Sequence, residues 1–191
     1  MPRASAAAAA ETARRILDSA SDLFAANGFA DISVDDVARE AGVTRGAVYH
    51  HYRNKQGLFG AVVARLQARI AADVVDAATA VDGPQEQLRA GSHAFLDAIT
   101  AAPAVRVLLV DGPAVVGWRR WRELDARNSA AHLRDALRDA GVAESLVDAT
   151  TAQLSGAMNE AALWIAQHRE PAAAREQAHA VLDRILAAAL P

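Results

Sequence analysis

Ile32-Ser-Val-Asp-Asp-Val-Ala-Arg-Glu-Ala-Gly-Val-Thr-Arg-Gly-Ala-Val-Tyr-His-His-Tyr-Arg-Asn-Lys-Gln-Gly-Leu58 reads as two short helices around a tight turn, with a third helix starting just beyond. Val34, Val37, Ala38 and Ala41 repeat at three- and four-residue steps, giving the first helix one apolar stripe and leaving Asp35, Asp36, Arg39 and Glu40 in water. Ser33 is its N-cap, with Asp36 three residues on. Gly42 stands where that helix must stop, because glycine enters the left-handed C-cap conformation without a Cβ penalty. Thr44 caps the next helix. Val43 and Val48 then face the core, while Thr44, Arg45, Gly46, Ala47, Tyr49 and His50 face outward.

A helix that enters a DNA major groove needs small residues where its backbone nears the duplex and polar or basic side chains that reach bases and phosphates. Gly46 and Ala47 supply closeness; Ser33, Thr44, Arg45, Tyr49, His50 and Lys55 supply polar groups. From Thr44 to Lys55 the only formal charges are Arg45, Arg53 and Lys55, although the first sixty residues balance seven basic against seven acidic side chains. A local positive field is therefore expected within a chain of net charge −3. An ordinary helical hairpin with capping glycines would carry the same turn, so the neighbouring sequence has to decide.

Ala13-Arg-Arg-Ile-Leu-Asp-Ser-Ala-Ser-Asp-Leu-Phe-Ala-Ala-Asn-Gly-Phe29 precedes the turn unit. Leu23-Phe24 before Asn27-Gly28-Phe29, then Ala41-Gly42-Val43-Thr44, then Tyr49-His50-His51-Tyr52 followed by Lys55, is similar to the N-terminal DNA-binding domain of the tetracycline-repressor (TetR) family. The resemblance covers about the first third of the chain. It implies a dimeric, ligand-responsive transcriptional regulator, a repressor of a palindromic double-stranded DNA operator. Three positions depart from the family's pattern: Ile32 replaces a frequent threonine, Tyr52 a usual phenylalanine, and Asn54-Lys55-Gln56 a commoner Pro- or Ser-Lys-Glu. The first removes a hydroxyl suited to a phosphate, a role left to Ser33.

Composition supports an all-α fold: 52% of the 191 residues are apolar, alanine dominates and few are aromatic. The expected organisation is a flexible arm over 1–10, a three-helix helix-turn-helix domain over 11–57, and a helical effector-binding and dimerisation domain over 58–191. Arg3 in the arm is a candidate for a minor groove, with a solvated tail as the alternative. Zero cysteines excludes disulfides and thiolate metal sites and suits a reducing cytoplasm, where the protein is expected. No apolar run of about eighteen residues occurs, so no membrane span is expected. The periodic run from Leu58 to Val75 predicts a long connecting helix. Further helices are predicted over Pro84 to Thr100, Pro103 to about Val110, Pro113 to Ala140, Glu144 to His168 and from Pro171.

Two late stripes suit helix pairing: Leu154, Ala161 and Trp164 in one, Val181, Leu182 and Ile185 in the other. Ordinary core packing would give the same spacing. The resemblance assigns them to a dimer, since the family pairs its last two helices across a two-fold axis. His93, His132, His168, His179, Asp111, Asn159 and Glu160 lie in separate segments without metal-ligand spacing, and no nucleophile elbow or phosphate loop appears. No catalytic activity, metal or cofactor is expected. Phe95, Leu108, Trp118, Trp121 and Met158 lie near helix breakers and form an inventory suited to a cavity for a hydrophobic or aromatic small-molecule effector. The competing reading is a helical small-molecule binder or enzyme that keeps the helix-turn-helix shape without specific DNA binding.

Overall fold

Apolar residues at helical spacing, with no strand alternation, give a chain whose regular structure is helical throughout the described residues. The computed structural model describes residues 2–101 and 104–190, with side chains from Ala6 onward. α1 (Pro2–Asn27), α2 (Val34–Glu40) and α3 (Arg45–Tyr52) form a small N-terminal unit, closed by the start of α4 (Lys55–Thr79). The larger unit holds α5 (Pro84–Thr100), a π-helical segment (Arg106–Asp111), α6 (Gly112–Val116), α7 (Trp118–Ala126), α8 (Ser129–Asp139), α9 (Glu144–Gln167) and α10 (Pro171–Ala189).

α4 belongs to both units, so the expected boundary at residue 57 falls inside its first turn. Its stripe of Leu58, Phe59, Val62 and Val63 is fully buried, in one continuous apolar cluster with Ile16, Ala20 and Phe24 of α1. Phe24, Phe29 and Phe59 meet with ring centroids 5.1 to 5.9 Å apart, two of the three pairs edge to face. Each fully buried aromatic contributes about 1.5–3 kcal/mol of burial energy. Farther along, α4 packs against α5, and α8, α9 and α10 complete the bundle.

Several elements differ from the sequence expectation. Residues 2–10 continue α1 instead of forming a flexible arm, because alanine has the highest intrinsic helix propensity and nothing breaks the run. The side chain of Arg3 lies outside the described residues, as does the expected helix start at Pro103. The expected single helix from Pro113 to Ala140 is three helices. Gly117 adopts φ +87°, which ends α6, and Asn128 leaves helical geometry at φ −119°, ψ −114° before α8. Among the described residues no helix is long and apolar enough to cross a membrane.

Candidate functional site: nucleic-acid interface and ligand cavity

The turn unit is held by three local devices. Ser33 and Asp36 form a reciprocal capping box: the Asp36 amide donates to Ser33 Oγ at 3.1 Å and the Ser33 amide to Asp36 Oδ2 at 2.9 Å. Those hydrogen bonds from the Ser33 hydroxyl and amide, with Arg39 beside them, hold the Asp36 carboxyl down to about 2. Gly42 takes φ +62° at the turn, and Arg15 of α1 donates to Ala41 O at 2.6 Å and Gly42 O at 3.2 Å, capping carbonyls that α2 leaves open. Thr44 Oγ1 then accepts from the Ala47 amide at 3.2 Å and starts α3.

α3 buries only Val48 and presents Arg45, Gly46, Tyr49 and His50 to solvent, with Thr44 exposed at its start and Ala47 half-buried. Gly46 carries no side chain beyond its backbone, so that turn of helix can approach a flat or grooved surface closely. Arg45 stacks over Tyr49 with Cζ 5.3 Å from the ring centroid and donates to its hydroxyl at 3.1 Å. It also pairs with Asp35 of α2 at 3.0 Å. Counting charges along 44–55 missed that carboxylate, because the tight turn folds α2 against α3. Both side chains are more than half exposed, so solvent screens the pair and Arg45 is only weakly held by Asp35.

Lys55 is half-buried. Its Nζ donates to Ala30 O at 3.3 Å and lies 4.2 Å from the Phe29 ring centroid, fastening the start of α4 to the end of α1. Two of the departures from the family pattern have structural roles. Ile32 is 7% exposed and belongs to the core, and the Tyr52 hydroxyl donates to Ala13 O at 2.8 Å, tying α3 to α1. Burial pushes the Tyr52 phenol up.

The larger unit holds a partly open pocket of about 220 Å3 between α4, α5, α8 and α9, with Asp125 of α7 in its wall. Phe95 and Met158 are among the residues that line it. Leu108 and Trp121 instead line an adjoining space of about 20 Å3, to which Phe95 also contributes. Trp118 corrects the expectation: it is 64% exposed and lines neither space, stacking on Trp121 at 5.2 Å from outside. The break at Gly117 starts α7 with Trp118 on its solvent side. Trp121 is buried, donates its indole N–H to Leu108 O at 2.7 Å, and presses on Gly112, where a Cβ would stand 3.2 Å from its ring. Sequence reading missed Gln67, Ser92, Asp125 and Ser155, all buried polar residues bordering these spaces. For Asp125 the signal existed: Trp121, Leu124 and Asp125 share one face at helical spacing.

The π-helical segment joins the two regions. Arg106 donates to Asn27 O at 2.9 Å, and Asp111 accepts from the Phe29 amide at 3.0 Å, while Leu108 between them borders the smaller space. Gly28 adopts φ +87° beneath the Arg106 guanidinium, which occupies the place a side chain would need.

The expected dimerisation residues divide. Ala161, Trp164, Val181, Leu182 and Ile185 line a groove of about 490 Å3 along α9 and α10, with Trp164 42%, Val181 53% and Ile185 38% exposed. Leu154 does not: it is 3% exposed and packs inside the chain, two turns before Ala161 on the same side of α9, where the neighbouring helices cover it. Leu182, 4% exposed, forms the groove floor.

A capped helix-turn-helix is thus joined by one long helix to a helical bundle that holds a partly open pocket. The profile of bacterial regulatory proteins of the tetR family matches residues 16–62, and that of tetracyclin repressor-like C-terminal domains matches residues 85–189. A TetR-family transcriptional regulator from Pectobacterium atrosepticum is 32% identical, with a TM-score of 0.76 over 96% of each chain. The chain belongs to the TetR family. The HTH-type transcriptional regulator SrpR of Pseudomonas putida is 49% identical over 67 residues, 35% of this chain and 32% of SrpR. AcrR of Shigella flexneri is 42% identical over 62 residues, 32% of this chain and 29% of AcrR. Against these two, the chain matches about a third of the relative's length.

Proposed function

We propose that the chain is a ligand-responsive repressor that binds a palindromic operator as a homodimer in the cytoplasm and is released by a small, largely apolar effector. The carrying observation is α3, whose exposed Arg45, Gly46, Tyr49 and His50 share one accessible surface while Thr44 caps its start and Asn54 caps the start of α4 just beyond it. Ser33 and Thr44 present polar groups at the two helix starts, and Lys55 supplies charge at the third. Trp164, Val181 and Ile185 support the dimer: they are large apolar side chains on one groove, and a second copy would cover them by the same patch. A two-fold pair places the recognition helices on half-sites about 34 to 36 Å apart.

Effector and operator would communicate through the π-helical segment. An occupant pushing on Leu108 or Trp121 moves the same six residues whose Arg106 and Asp111 grip the end of α1. π-Helical turns store such local distortion and are common at functional positions. Release then requires only that the effector bind unequally to the two arrangements. A gel shift with DNA upstream of the protein's own gene, followed by oligonucleotide selection, tests the reading. A two-fold symmetric sequence bound by a dimer is the expected result; equal weak binding to every duplex, or a monomer, refutes it.

A further inference from the structure

The chemistry of the effector can be taken further, resting on the effector reading above. Two spaces meet at Asp125: the larger one, about 220 Å3, and the smaller one, about 20 Å3, share Phe95, Asp125 and Ser129. The larger has a largely apolar wall, with Leu88, Phe95, Leu133 and Met158. The smaller has room for one group the size of a water molecule.

Gln67, Asp125, Ser129 and Asn159 supply the polar side chains around the smaller space, besides the Trp121 indole. Gln67 is 7% exposed on α4, and its amide oxygen has no hydrogen-bond partner. A buried polar atom in that condition favours any ligand that brings it a donor. Asp125 is 8% exposed; Arg122 donates to one of its oxygens at 3.1 Å. Burial raises the Asp125 carboxyl, with the Arg122 charge and the Ser155 hydroxyl acting against it. The indole N–H of Trp121, the obvious donor nearby, is spent on Leu108 O. Among the described residues lining the two spaces there is no lysine or arginine, whereas Asp125, Asp135 and Asp139 all border the larger one. An anionic ligand would find no permanent cation among these residues; His132 borders the larger space but not the smaller one. A purely apolar one would leave Gln67 as it stands.

We infer that the effector is an organic cation, a primary amine whose ammonium group sits between Gln67 and Asp125 while its apolar body lies beside Phe95 and Met158. An ammonium brings three donors, one of them for the unpartnered Gln67 oxygen, and a positive charge for a carboxylate that Arg122 faces from one side only. Its position also places it next to Leu108 and Trp121, the contact surface of the π-helical segment.

Thermal melting of the purified chain with phenethylamine, phenethyl alcohol and phenylacetate, closely matched in shape and differing in charge, tests this, with operator binding followed in parallel by fluorescence anisotropy. Phenethylamine should act at concentrations about tenfold or more below the alcohol, and phenylacetate should have no effect. Gln67→Met, which keeps the volume and removes the amide, and Asp125→Asn, which keeps the shape, should each erase most of that preference. Circular dichroism and urea melts establish that the variants fold; Gln67→Met alone suffices if Asp125→Asn does not. Equal response to the alcohol or the acid, no response to any of the three, or an undiminished amine preference in folded Gln67→Met overturns the inference. A chain that answers to the amine but binds no DNA refutes the regulator reading and leaves this one standing. A chain that binds its operator and ignores the amine does the reverse.

Discussion

Asp111→Ala tests the connection between the two units at a single hydrogen bond. Asp111 accepts from the Phe29 amide at 3.0 Å and lies 3.8 Å from Arg106 Nε, which places it at the junction of α1, α4 and the π-helical segment. Alanine leaves a half-buried amide without its acceptor and frees Arg106 from its carboxylate. A hydrogen bond to a charged acceptor is worth about 1.5–3 kcal/mol. The Asp111 side chain is 22% exposed, so water recovers part of this and about 1–2 kcal/mol of local stability is lost. Hydrogen exchange at the Phe29 amide should accelerate by about 5- to 30-fold. No groove-facing residue changes, so operator affinity without effector stays close to wild type. The effector-dependent change in that affinity, typically about 5- to 150-fold in such coupled systems, should shrink toward none. The reasoning fails if Phe29 exchanges no faster, if every amide of α1 accelerates alike, or if the effector response is intact.

Arg45→Ala should relax base preference at one operator position by about 1–3 kcal/mol in an oligonucleotide selection, and an unchanged profile would move Arg45 to the phosphates. Lys55→Ala should instead weaken binding evenly across sequences and lower the slope of log affinity against log salt by about one; a full slope would leave Lys55 only its contacts with Phe29 and Ala30. Val181→Asp combined with Ile185→Asp should yield a monomer in light scattering, since both side chains line the exposed groove; a persistent dimer would place the interface elsewhere. Stability should also fall with acid. The rings of His93 and His179 stack at 4.2 Å between α5 and α10, among Arg89, Asp97, Arg175 and Asp183. Burial and then the His93 charge lower His179 from its ordinary 6.5; its Nε2 lies 3.2 Å from Asp97 but without hydrogen-bond geometry. A lowered histidine binds its proton more weakly when folded, so its contribution is complete above 6.5 and is lost as pH falls below that. Burial would raise Asp183, but hydrogen bonds from Arg89 and His93 outweigh it, adding a second loss below 3.8. Urea melts across this range should steepen accordingly, and His179→Gln should flatten the upper part; an equal slope in that variant refutes the assignment.

Much of the N-terminal unit was readable from residues alone because its determinants are local. Ser33 with Asp36, Gly42 and Thr44 set the caps and turn within three or four residues of the groups they satisfy, so order along the chain suffices. The same holds for the start of α5 at Pro84 and for the all-α class. Even there, the Asp35–Arg45 pair and the Arg15 cap on Ala41 were invisible, since they join residues from different helices.

In the larger unit, periodicity told which residues would be buried but not against what. Leu154 and Trp164 belong to one stripe, yet one is core and the other faces out, because a helix of this length touches different neighbours on different turns. Trp118 and Trp121 looked equivalent until the break at Gly117 fixed which of them the bundle could cover. The sequence by itself determined the all-α class and the turn unit of Ser33, Asp36, Gly42 and Thr44, settled by short-range hydrogen bonding and helical spacing. Only the tertiary structure decided the pocket, its polar end at Gln67 and Asp125, and the Arg106–Asp111 grip on α1, because each depends on groups tens of residues apart in the chain being brought together.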